Sequence, residues 1–400
     1  MKNLLFSILV IAIAGPASAG DLSVEERLTR LEQEVAALRA ENQTLRKQLG
    51  VTPTAPSPTA PQAVPQPAQD AKRLVFGGLL QAQAESGGLP DSRFKGSNDR
   101  IYVRRARLNA QAQLPYHTEA RIELDLAGSL APSTSARAQM TDGYLTWTGS
   151  RIASLRAGQF KTPFGHEQLM ADAKLVTPER SLASDRLTPG RQAGAQISGE
   201  GAGGRVTYAI GLFNGNGTNS SNNDDDRFLT AARAAGVLYR SGPLRWTAGV
   251  NGFTSRDRAV AYSSDFGFTS RVTGLADVFT GSRRGAGVDS QLVAGPAEIW
   301  AEYIATTFEP DDAIPSSRFK TSGWSLLGSW MFVPERLQGV VRLEEFDPNG
   351  QLSNDETRAW SAGANWLIRG NDLKLQLFYM HGSTGGHDDG RVVARVQTAF

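Results

Sequence analysis

From residue 74 onward most of the chain alternates apolar and polar positions with a period of two, most clearly between Tyr102 and Leu114. Ala106, Leu108, Ala110, Ala112 and Leu114 hold one parity there, and Arg105, Arg107, Asn109, Gln111 and Gln113 hold the other. Successive side chains of a strand point to opposite faces, so such a segment is a strand with one apolar and one polar face. Sixteen segments of this kind are predicted, at approximately 74–83, 101–114, 118–127, 141–148, 152–160, 192–199, 204–213, 227–239, 244–253, 286–294, 297–307, 320–332, 338–346, 358–368, 372–380 and 391–400. The last carries Val392, Ala394, Val396, Thr398 and Phe400 on one face, with Arg395 and Gln397 on the other. A lipid-facing apolar parity opposed to a water-facing polar one describes a transmembrane barrel strand.

The joints between segments alternate in length. Short ones are Pro115-Tyr116-His117, Thr148 to Arg151, Gly199 to Gly204, Arg240 to Pro243, Gly295-Pro296, Val333 to Leu337 and Arg369 to Asn371. Long ones are 84–100, 128–140, 161–191, 214–226, 254–285, 308–319, 347–357 and 381–390. Tight turns on the periplasmic side and longer loops outside are the habit of outer-membrane barrels. The pattern therefore predicts an all-β fold over residues 73–400, a 16-stranded antiparallel transmembrane β-barrel with both ends periplasmic. Strands of that number enclose an aqueous lumen.

Three segments precede the barrel. Lys2 leads an apolar run from Leu4 to Ala14 that closes on Ala17-Ser18-Ala19, the form of a secretory signal peptide over 1–19. Between 20 and 50, Val24, Leu28, Leu31, Val35, Leu38, Asn42, Leu45 and Leu49 recur in steps of three and four. This is the seam of an N-terminal α-helical coiled coil, with Asn42 as a polar register-fixing position. Residues 51–72 hold Pro53, Pro56, Pro58, Pro61, Pro65 and Pro67 among Ala, Thr and Gln. They read as a semi-rigid spacer of about 3.1 Å per residue when extended.

Composition narrows the chemistry. With no cysteine the chain has neither a disulfide framework nor a thiolate metal site. A net charge of +2 says little about partners, and no nucleic-acid partner is expected. Arginine outnumbers lysine about four to one, a bias suited to holding anions in fixed geometry. His166-Glu167 lacks the second histidine of a zinc-protease helix, and no nucleophile elbow or phosphate-binding glycine loop occurs, so neither an enzyme nor a cofactor is expected. Asn222 to Asp226 reads as a hydrated external loop rather than a calcium site, and the tryptophans suit interfacial girdles.

Function then turns on what narrows and charges the lumen. The joint 161–191 is too long for a rim connection and is expected to fold inward as a constriction. Alternation places Arg105, Arg107, Arg121, Arg156, Arg233, Arg245, Arg342 and Arg395 in the lumen, nearly balanced by Glu119, Glu123, Asp125, Asp142, Glu298, Glu302 and Glu344. Arg105 is the best single anion contact on this reading, because it adjoins Arg104 and Arg107 on one strand.

From about Phe76 to Phe400 the residues resemble the phosphate-selective porins of the O and P type. The matching runs are Tyr102-Val103-Arg104-Arg105-Ala106, Gly158-Gln159-Phe160-Lys161-Thr162-Pro163-Phe164-Gly165, Glu179-Arg180-Ser181-Leu182, Gly295-Pro296-Ala297-Glu298 through Glu302-Tyr303, and Gly363-Ala364-Asn365-Trp366. The resemblance implies a homotrimer in outer-membrane lipid, each barrel with its own anion-conducting pore. Arg104, Arg105, Asp142 and Arg180 match the family pattern. Gln168 stands where strongly phosphate-selective members carry a lysine, an arginine ladder in the fifth long loop is thinned to Arg256, Arg258 and Arg271, and Leu79 replaces a first-strand arginine.

The expectation is an outer-membrane porin for passive diffusion of small anions, phosphate or similar, without tight phosphate specificity. Arg104, Arg105, Arg107, Asp142, Lys161, Gln168, Arg180 and Arg271 are its expected pore residues. The alternatives are a weakly selective general porin, an envelope tether whose coiled coil engages a periplasmic partner, or an outer-membrane enzyme that uses the barrel as scaffold.

Overall fold

A computed structural model describes residues 33, 40, 73–95, 97–127, 138–220, 222–262, 264–266, 278–311 and 318–400. The expected signal peptide and proline-rich spacer lie outside the described residues, as does the expected coiled coil apart from Gln33 and Ala40, both helical. Met1–Gln66 and Pro67–Phe400 form separate units, and the second is built of sixteen strands.

These strands are β1 (Arg73–Gly87), β2 (Arg100–Leu114), β3 (Thr118–Asp125), β4 (Gln139–Trp147), β5 (Ser154–Lys161), β6 (Arg191–Gly201), β7 (Val206–Phe213), β8 (Leu229–Ser241), β9 (Leu244–Ala261), β10 (Val278–Ala294), β11 (Ala297–Pro310), β12 (Phe319–Val333), β13 (Leu337–Asp347), β14 (Thr357–Arg369), β15 (Leu373–Thr384) and β16 (His387–Ala399). Each pairs antiparallel with its sequence neighbours. β1 closes on β16, from Leu79 opposite Ala399 to Gly87 opposite Arg391. Closure leaves no strand edge in lipid, where unpaired N–H and C=O groups would find no water. Phe400 completes the seam, its backbone N–H and C=O exchanging hydrogen bonds with Gly78.

Two expected long loops contract to half their predicted length or less. The joint drawn at 381–390 is a two-residue turn, Gly385-Gly386, with φ of +58° and +79°. Positive φ at both central positions is what a type I′ hairpin demands, and two glycines supply it without steric cost, so β15 and β16 run on to meet. The joint drawn at 254–285 contracts to 262–277, because β9 and β10 keep pairing as far as Ala261 and Val278.

The outer surface is the apolar parity. Leu80, Leu108, Ile122, Val250, Val341 and Leu377 are exposed there. Trp147, Trp246, Trp330 and Trp366 face outward near the short turns, and Trp324 and Trp360 face outward farther along their strands. Trp300 is the exception: it is buried and faces the lumen side of β11. No helix among the described residues is long and apolar enough to cross a membrane.

A glycine lets β5 approach β4 closely. Gly158 of β5 has φ of +127°, and a Cβ there would stand 2.2 Å from the Gly143 carbonyl oxygen and 2.7 Å from Tyr144 Cα. Gly158→Ala is expected to prise β5 from β4 at a cost of about 1–3 kcal/mol. The folded barrel should then lose its compact gel mobility at a lower temperature than the wild type. An unchanged transition would refute that role.

Candidate pore constriction

The segment between β5 and β6, residues 162–190, lies inside the barrel. It carries two short helices, α1 (His166–Leu169) and α2 (Leu182–Leu187). Phe164, Leu182, Leu187 and their neighbours pack into an aromatic core with Phe160, Phe213, Phe253, Phe308, Phe319 and Phe346. Burying apolar loop residues against lumen-side aromatics makes the loop part of the folded core.

Charged wall residues hold the same loop at many points. Glu302 of β11 accepts from the backbone N–H groups of His166 and Glu167, at 2.5 and 3.3 Å. Glu344 of β13 accepts from Leu182 N–H at 2.7 Å, and Arg342 donates to Thr177 Oγ1 and the Glu179 carbonyl at 3.0 and 2.7 Å. Lys374 of β15 donates to the carbonyls of Ala173 and Leu175 at 2.8 and 2.7 Å, and Asn365 of β14 to that of Val176 at 2.8 Å. Arg395 of β16 pairs with Glu179 and also donates to the Pro178 carbonyl.

Two loop carboxylates sit at the centre of this clamp. Glu179 receives Arg104 Nε and Nη2, each at 2.9 Å, with Arg105 at 3.7 Å. Asp172 receives Arg180 at 2.7 Å, Arg105 at 3.3 Å and Arg107, which also holds Asp125 at 2.8 Å. Adjacent residues of a strand normally face opposite ways, yet Arg104 and Arg105 both reach the lumen. A β-bulge makes this possible: Gln81 faces Arg105 and Ala82 faces Val103, leaving Arg104 as the extra residue. Other inward segments buttress the loop. Arg93 donates to the Arg180 carbonyl and pairs with Glu344 at 3.4 Å, and Arg186 pairs with Asp265 at 3.2 Å.

The clamp occupies the side of β1, β2 and β11–β16. A cavity of about 920 Å³ remains along β4–β8, from Ser150 and Arg151 at the short turns to Lys161, Pro163 and Leu169 under the loop. Of the charged residues lining it, Asp142 is paired with Arg191 at 2.8 Å and Arg233 with Asp289 at 2.5 Å. Among the described residues Arg151, Arg156, Lys161 and Glu200 have no ion-pair partner within 4.0 Å. Lys161 Nζ donates to the Met170 carbonyl at 2.8 Å. His166, beside Trp300, adds no charge at neutral pH, since burial pushes its imidazole below the ordinary value.

Residues 80–392 match the family model described as phosphate-selective porin O and P. The chain belongs to that family. It is thus an outer-membrane porin, a channel rather than an enzyme. No curated protein matches the porin in sequence. Solved structures share its fold: OmpT of Vibrio cholerae in trimer form (TM-score 0.58, 11% identity, covering 83% of this chain and 100% of that one), the anion-selective porin of Comamonas acidovorans (0.56, 14%, 82% and 100%) and the outer membrane channel DcaP of Acinetobacter baumannii (0.56, 14%, 82% and 97%).

The expected pore residues fall into distinct places in the porin. Arg104, Arg105, Arg107 and Arg180 converge on Asp172 and Glu179 within the clamp. Asp142 and Lys161 line the open cavity. Gln168 is half-buried on α1 and makes no side-chain hydrogen bond among the described residues, and Arg271 lies outside them. Asp172 and Glu179 are visible in the loop sequence, but nothing local marks them as anchors. Their buried positions become apparent only when β2 and β16 are brought around them.

Burial pushes both carboxyls up, but the surrounding guanidiniums outweigh it. Arg105, Arg180 and Arg107 hold Asp172 well below the ordinary carboxylate range, and Arg104, Arg395 and Arg105 do the same for Glu179. A depressed folded-state pKa gives stability that is present above the unfolded value and lost only as pH falls through the folded one. The conductance difference between the wild type and Glu179→Gln should therefore stay constant from pH 7 down to about pH 4, the ordinary carboxylate value, and shrink only below it. A difference that vanishes near pH 5–6 would contradict the clamp.

Proposed function

We propose that this porin passes small anions by passive diffusion along the β4–β8 wall, with modest preference and without a tight phosphate site. One observation carries the reading. The clustered arginines that a phosphate site would need are ion-paired in the clamp, whereas Arg151 and Arg156 line the open cavity against a single unpaired carboxylate, Glu200. Fixed charge in a narrow low-dielectric lumen concentrates counter-ions, so a small surplus of cations biases permeation toward anions. Gln168 supports the same view, since it places no charge on α1.

The working unit in this proposal is a homotrimer in outer-membrane lipid, a reading supported by the trimer form of the Vibrio cholerae protein. Residues 1–19 are removed as a signal peptide, 20–50 form a periplasmic coiled coil able to meet an envelope partner, and 51–72 space it from the barrel. Chloride current through the purified porin tests the missing phosphate site. Inorganic phosphate should reduce that current only at millimolar levels, and block at micromolar phosphate would defeat the proposal.

A further inference from the structure

Arg156 of β5 is held unlike the clamp arginines. Its Nε donates to Thr146 Oγ1 at 3.0 Å, and its guanidinium carbon lies 4.3 Å from the Tyr144 ring centre and 5.5 Å from that of Phe160. Thr146 is buried, and the rings of Tyr144 and Phe160 meet edge to face at 6.0 Å. These contacts fix the guanidinium plane while engaging only one of its nitrogens. Among the described residues the two terminal nitrogens have no hydrogen-bond partner, and no carboxylate lies within 4.0 Å. A guanidinium so oriented, lining an open cavity, is a prepared receptor for an anion.

The surroundings decide which anion. We infer that Arg156 and Tyr144, backed by Phe160, form a binding site for a small organic carboxylate bearing an aromatic or alicyclic ring, on the periplasmic side of the constriction. The inference rests on the anion-preferring reading of the pore and names the ligand class within it. Two parallel N–H···O bonds match a planar carboxylate to the free fork of a guanidinium. Beside the fork the half-buried Tyr144 ring, backed by the buried Phe160, offers apolar surface that a ligand ring can cover, favouring offset or edge contacts. Gln196 and Ser198, on the same cavity wall, supply polar groups for ring substituents. Inorganic phosphate would leave the aromatic surface uncovered, and chloride, a single acceptor atom, cannot form two parallel hydrogen bonds with the fork. The cavity, at about 920 Å³, is of the size that accommodates such molecules with water to spare. Occupancy must stay weak, because a permeant has to leave as readily as it enters.

The test is block of chloride current through the full-length porin in planar bilayers by benzoate, cyclohexanecarboxylate, acetate or inorganic phosphate, each added at the short-turn side. Half-block by the two ring acids is expected at concentrations about tenfold lower than by acetate or phosphate, the size of one good aromatic contact plus apolar cover. Tyr144→Leu should raise the benzoate value about fivefold and leave acetate nearly unchanged. Arg156→Gln should raise it about tenfold or more, and Arg156→Lys, which keeps the charge but loses the fork, should recover little of it. Equal block by benzoate and acetate, or benzoate block unaltered in both Arg156 variants, overturns the site while an anion-preferring zero-current potential leaves the wider reading standing. A cation-preferring potential in the wild type overturns that reading instead. Should Arg156→Gln fail to reach the folded barrel, Arg156→Lys and Tyr144→Leu carry the decision.

Discussion

Glu179→Gln is expected to release the constriction loop, raising single-channel conductance and open-channel noise and lowering the thermal transition of the barrel. The side chain is buried and meets Arg104, Arg395 and Arg105, contributed by two strands from opposite ends of the chain. Arg395 is 1% exposed and has no other carboxylate within 4.0 Å among the described residues. Removing one partner of a buried ion pair leaves an uncompensated charge and costs about 3–5 kcal/mol. Most of that cost can be relieved if the loop lifts and water reaches the guanidiniums. An unchanged conductance together with an unchanged transition temperature would show that the clamp does not hold the loop.

Arg156→Glu should shift permeability from anions toward cations more than any single change within the clamp. It converts an unpaired cation lining the open cavity into a carboxylate on the wall that also carries Glu200, reversing the local sign there. Arg105, which the sequence pattern favoured as the anion contact, is 4% exposed, donates to Gln81 at 2.7 Å and is shared by Asp172 and Glu179. Arg105→Glu is therefore expected to act through the loop, changing conductance and stability before it changes ion preference. Zero-current potentials of the two variants, measured with their single-channel conductances, separate the roles. A large selectivity shift from Arg105→Glu with normal conductance would reverse this assignment.

The barrel was legible in the sequence because its wall is written with a local rule. Each strand alternates apolar and polar residues, and Pro115-Tyr116-His117 or Gly295-Pro296 mark where strands turn. Gly385-Gly386 marked a turn just as clearly, yet the polar residues around it, His381 and His387 to Asp389, read as loop when they continue the strands. The interior obeys no local rule. Arg104 faces inward only because a bulge inserts it, and alternation alone would send it to lipid. Arg105 and Arg395 find their carboxylates on a loop between β5 and β6, far away along the chain. Pairing of that kind decides which lumen cations remain free, and it is a property of the closed barrel. Arg156 stood among the lumen arginines by parity, with nothing in its neighbours to distinguish it from Arg107 or Arg342.

On the proposed reading, a small surplus of unpaired cations on the β4–β8 wall sets the preference of the pore. The zero-current potential of the wild-type porin across a potassium chloride gradient reads that surplus without any substitution. The expected sign is that of chloride permeating faster than potassium, by a modest ratio that shrinks as salt screens the wall. A potential of the opposite sign at low salt would show that those cations do not govern permeation.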